Sequence, residues 1–133
     1  MSNQAVLDRV HDVIQTYPSI QAAWVFGSVA QGTATPRSDL DCAVLAEAPL
    51  SASMMQALIN DLAEETGRPV DLIDLQATRG PVVGRVLKHG TQLFCTDTTL
   101  YGALIARWVT DQADWMPLRR RIVQTRLKQW TES

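Results

Sequence analysis

Two apolar runs, IQAAWVF and LDCAVLA, flank a polar segment that opens on Gly27-Ser28 and closes on Asp39, just before Leu40-Asp41. Ten residues lie between Ser28 and Asp39. Both runs have the length and composition of buried strands, so the polar segment has to join two neighbouring strand ends. A glycine directly after the first run lets the backbone turn sharply there. On the second run Asp39, Asp41 and Ala43 share one face, while Leu40, Cys42 and Val44 share the other. Carboxylates two apart on a strand stand roughly 6.5–7 Å apart along it. They repel one another, and burial raises their pKa values. One resolution is an open sheet on which both face water. The other is a hard divalent cation, Mg²⁺ or Mn²⁺, held by a few carboxylates together with substrate phosphates.

The rest of the chain alternates in the same economical way. Val6, Val10, Val13, Ile14 and Tyr17 recur at helical spacing from a start near Ser2 or Asn3, and Pro18 ends the pattern. A second helix carries Met55, Leu58, Ile59, Leu62 and Ala63 on one side, with Ser51 or Ser53 as cap and Gly67 as stop. RPVDLIDLQ reads as a third strand. Pro81 opens a further helix that Gly90 closes, and TQLFCT is a short fourth strand. From Thr98 the pattern is helical, with Leu100, Leu104, Trp108 and Val109 as its stripe, and Pro117 separates it from a last helix over about 118–130. The segment VAQGTATPRS, after Gly27-Ser28, reads as a loop, with Gly32 keeping it close to a ligand. The sum is an α+β domain with a small mixed sheet, helices mainly on one face, and C-terminal helices. Residues 1–97 form its body, and 98–133 are a helical extension that could bind a partner.

Composition narrows the class. Of 133 residues 46% are apolar and 20% charged, which suits one domain with its own core and not a disordered chain. No apolar run approaches the ~18 residues of a membrane span. Acids among the apolar residues of the N-terminus argue against a signal peptide. Cys42 and Cys95 lie far apart and belong to no metal-type cluster, as expected of reduced thiols in a cytoplasmic protein. The net charge of −2 is uneven: five basic residues against Glu132 give residues 117–133 a charge of +4, leaving −6 elsewhere. That balance, with no aromatics interleaved on a sheet, argues against direct nucleic-acid binding. His11 and His89 stand alone and read as structural. Arg37, just before Asp39, is either a phosphate contact or an exposed loop residue.

Two-metal phosphoryl transfer needs a further carboxylate, because cations ~3.5–4 Å apart share ligands. Asp71 and Asp74 are three apart and so face opposite sides of a strand. Asp71, between Val70 and Leu72 on a core-backed strand, is the third member. Asp74 near the strand end is a loop or capping carboxylate. Gly27 and Ser28 offer backbone amides and a hydroxyl to phosphate oxygens.

The motif Gly27-Ser28, ten residues, Asp39-x-Asp41, followed by Val70-Asp71-Leu72, resembles the minimal nucleotidyltransferase (MNT) family of the polymerase-β superfamily over roughly residues 5–95. The resemblance implies the nucleotidyltransferase fold and transfer of a nucleoside monophosphate from an NTP to a hydroxyl with release of pyrophosphate. It implies Asp39, Asp41 and Asp71 as ligands of Mg²⁺ or Mn²⁺, Asp71 also as a candidate general base, and Gly27 and Ser28 as the holders of the nucleotide phosphates. The small size and the VDLIDL strand are similar to the antitoxin half of type VII HEPN/MNT toxin–antitoxin pairs. Such an antitoxin moves AMP from ATP onto a tyrosine of its HEPN ribonuclease toxin.

Two other readings stand beside it. A small-molecule transferase of the aminoglycoside type carries an added acceptor domain, and the 38 residues after Cys95 are few for one. A non-catalytic toxin-binding module would not need the carboxylate set. Trp108, Trp115 and Trp130, with Tyr101, Met116 and Arg119–Arg121, are either interface residues or completions of the core.

Overall fold

The computed structural model describes residues 2–112. Its elements run α1 (Asn3–Gln15), β1 (Ile20–Phe26), α2 (Gly27–Gln31), β2 (Leu40–Ala46), α3 (Ala52–Thr66), β3 (Val70–Asp74), α4 (Pro81–His89) and β4 (Thr91–Cys95). A fifth helix, α5, follows over residues 98–112. The last helix expected over 118–130, with Trp115, Trp130 and Arg119–Arg121, lies outside the described residues.

Helix limits follow their caps. The Ser2 hydroxyl accepts from the Ala5 amide and opens α1. The Ser51 hydroxyl accepts from the Met54 amide and opens α3. Each such cap is worth about 1 kcal/mol. Gly67, at φ +67°, closes α3 in the left-handed conformation that glycine adopts without penalty. Helix α1 ends at Gln15, before Tyr17, because Pro18 disfavours helical backbone in the residue before it.

The sheet order is β3-β2-β1-β4. Strand β1 pairs antiparallel with β2 and with β4, and β2 pairs parallel with β3 through the α3 crossover. The expected mixed sheet is therefore present. Helices expected mainly on one face divide instead between both. Val6, Val10 and Ile14 of α1, Val29 of α2, and Leu58 and Leu62 of α3 pack on Ala23, Val25, Leu40, Cys42 and Val44. On the other face Val83 and Val86 of α4 and Leu104 of α5 pack on Ala22, Trp24, Phe26, Ala43 and Leu45. The strands are apolar on both sides because both sides are covered, hence their near-continuous burial.

Helix α5 is tied to the β3–α4 connection. Arg107 donates to the carbonyl of Leu75 at 2.5 Å, and Arg79 meets Asp111 through two contacts of 2.8 and 2.7 Å. Gly84 leaves room for the Trp108 indole, which a Cβ there would meet at 3.0 Å. Val109, expected in the stripe, is 51% exposed, one position too far around the helix. No described helix is long and apolar enough to cross a membrane.

Candidate active site

The β2 face that carries Ala43 and Leu45 also carries Asp41. In the antiparallel β1–β2 ladder Asp41 lies opposite Phe26, the last residue of β1. Gly27 follows at φ +71°. A Cβ on Gly27 would collide with Oδ2 of Asp41 and stand 3.3 Å from its Cγ. The carboxylate thus lies against the bend of the backbone, one strand spacing away, as the motif spacing required. A side chain at position 27 would suffer twice, from its φ and from the occupied space.

In the parallel β2–β3 ladder Asp41 is paired with Asp71. Paired residues on adjacent strands share a face, so the two carboxylates stand side by side across ~4.8 Å of sheet. Asp74, three residues on, is paired with Val44 on the other face and is buried. Its oxygens accept from the Leu50 amide at 2.7 Å and the Gln76 amide at 3.0 Å. Asp74 is thereby a structural tie that sets the start of α3, and it does not join the acidic group.

Asp39 sits one residue before β2, exposed. Partial burial, then the Asp71 charge, then the Asp39 charge push the Asp41 carboxyl above its ordinary value, and Arg85 of α4 opposes them. Two neighbouring negative charges therefore act on Asp41 where β2 and β3 begin. Among the described residues no three His, Cys, Asp or Glu side chains close around a single point. The aspartates make an open edge of hard oxygens instead of a cage. That donor chemistry fits Mg²⁺ or Mn²⁺, which keep waters and take remaining ligands from phosphates.

Ser28 and the bend lie at the same end, but the expected loop begins as a helix, and only residues 32–39 are irregular. GSVAQ forms α2, and Val29 is buried in the α1–α3 core. Its glycine and polar residues imitate a turn, and only the tertiary burial of Val29 overrides them. Gly32 ends this helix at φ +75°, and a Cβ there would meet Asn3 at 3.5 Å. His11 lies edge-on to Phe94, with ring centroids 5.7 Å apart, consistent with a structural part.

Two arginines escaped the sequence reading. Arg85 is exposed on α4, and its charge acts on Asp41. Arg68 is 7% exposed and grips the segment before Asp39. No sequence spacing points to either, because each depends on a contact between distant parts of the chain.

Comparison with known proteins shows the family and the fold. A family profile described as polymerase beta nucleotidyltransferase matches residues 8–99. A curated relative, the protein adenylyltransferase MntA of Shewanella oneidensis, is 37% identical over 79 residues. The match covers 59% of this chain and 57% of that relative. A crystal structure of a toxin–antitoxin with AMP-PNP is 26% identical with a TM-score of 0.71, covering 88% of this chain and 98% of that one. A structure of tri-AMPylated Shewanella oneidensis HEPN toxin in complex with MNT antitoxin has a TM-score of 0.67 at 24% identity, over 91% of this chain and 98% of that one. The last likeness is one of fold.

Proposed function

The chain belongs to the polymerase beta nucleotidyltransferase family, and from that premise we propose that it is an antitoxin that transfers AMP from ATP to a tyrosine hydroxyl of a HEPN toxin. The observation that carries the reading is the Asp41–Asp71 pairing beside Gly27. The relatives supply the acceptor class: one is named a protein adenylyltransferase, and others are toxin–antitoxin complexes.

Each residue has a part in the reaction. Asp39, Asp41 and Asp71 would hold the divalent cation, which when bound neutralises the triphosphate and the charge that develops on it. The amides after Gly27 and the Ser28 hydroxyl hold phosphate oxygens. The acceptor oxygen attacks the α-phosphorus in line, the bond to the bridging oxygen breaks, and pyrophosphate leaves with the electron pair. Asp71, the more exposed of the paired carboxylates, takes the acceptor proton. Arg85, on the helix above Asp41, adds a positive charge on the phosphate side. ATP as donor and two free thiols, Cys42 and Cys95, fit a cytoplasmic setting.

The test is incubation with labelled ATP, Mg²⁺ and the protein encoded by the adjacent gene. Label on that partner, absent with Asp41→Asn, supports the transfer. Inhibition of the toxin that persists with Asp41→Asn and without label would point to a contact-only module.

A further inference from the structure

The geometry points to Arg68 as a positioning residue that fixes Asp39 relative to Asp71. The inference rests on the proposed role of the acidic edge. Arg68 is buried, and its Nη1 donates to the carbonyls of Thr35 at 2.6 Å and Ser38 at 3.0 Å. Those two residues already close a tight turn. The Ser38 amide donates to the Thr35 carbonyl at 3.0 Å, and the Thr35 amide donates to the Ser38 hydroxyl at 2.8 Å. On the far side of Asp39, the Leu40 amide donates to the Pro69 carbonyl at 2.8 Å.

Asp39 is therefore exposed but hung between two fixed neighbours, and both fixings come from consecutive residues, Arg68 and Pro69. The same segment enters β3 and delivers Asp71 two residues after Pro69. One short stretch thus carries one carboxylate and clamps the backbone of another. Burying a guanidinium carries a desolvation penalty, and replacing a buried charge by an apolar residue of similar size is often neutral or stabilising. Stability alone is a weak reason for an arginine here. Its Nη1 carries two N–H groups and gives one to each carbonyl, which no apolar residue can do. Groups that orient metal ligands in this indirect way commonly govern affinity.

The experiment uses the full chain and Mn²⁺ with a non-hydrolysable ATP analogue, read by calorimetry, together with amide hydrogen exchange without ligand. In Arg68→Gln the amides of Thr35, Ser38 and Leu40 should exchange faster while those of β1 keep their protection. Mn²⁺ binding should weaken by about tenfold. Arg68→Lys, which keeps the charge and a multiply protonated nitrogen but on a shorter side chain without the planar head, should fall between. It also serves as the decisive variant should Arg68→Gln fail to fold. Wild-type Mn²⁺ affinity in either folded variant overturns the inference. So does weakening that accompanies faster exchange through the whole sheet. Asp41→Asn in the same titration separates the levels: if it binds Mn²⁺ as wild type does, the acidic edge is not the metal site, and the proposed function fails first.

Discussion

The carboxylate of Asp41 occupies the space that a side chain on Gly27 would fill. This contact joins the end of β1 to the start of β2 and places the two halves of the motif against each other. It also makes position 27 a place where backbone and site requirements coincide.

Gly27→Ala should therefore lose transfer activity and be destabilised by about 1–3 kcal/mol through strain and displacement of Asp41. Gly67→Ala is the matched control. Its φ is +67°, yet nothing lies within 4 Å of a Cβ there. It should cost about 1 kcal/mol and leave activity per folded molecule unchanged. Denaturant titration and AMP transfer, measured on both, check the contrast.

Asp71 and Asp74 should separate function from stability. Asp71→Asn should abolish transfer with little change in stability, because its side chain is exposed. Asp74→Ala should cost roughly 2–3 kcal/mol by stranding the Leu50 and Gln76 amides. Whatever Asp74→Ala protein stays folded should still transfer AMP. Loss of activity in both, at equal stability, would contradict the division.

Alkaline stability should report the link between the α1–β1 connection and α3. The Tyr17 hydroxyl donates to Asp61 at 2.5 Å. Burial, that hydrogen bond and the Asp61 charge raise the Tyr17 pKa from 10.0 to about 12. The folded state thus holds a proton that the unfolded chain releases sooner. Its contribution is complete below pH 10 and disappears as pH rises toward 12. Wild type should exceed Tyr17→Phe in stability at pH 8, and the gap should close over that window. A gap independent of pH would show that the hydroxyl does not hold this contact.

Much of this site was legible before any coordinates. The period of two along a strand put Asp39 and Asp41 on one face, and the spacing of three separated Asp71 from Asp74. Both inferences needed only local geometry; the ladder pairing bears out the second, while Asp39 precedes β2 and lies outside the ladder. What escaped was tertiary. GSVAQ has loop composition and becomes α2 because Val29 reaches the core. Arg68 lies 33 residues from Thr35, and no pattern relates them. The second helical face was missed because strands buried on both sides give no alternation to read.

The most direct test of the account is AMP transfer from labelled ATP to the cognate toxin, compared between wild type and Asp41→Asn with Mg²⁺ present. Asp41→Asn relieves the repulsion at β2 and should be at least as stable as wild type without metal. Label should appear on the toxin with wild type, and none with the folded variant. Equal labelling by the two proteins would contradict it.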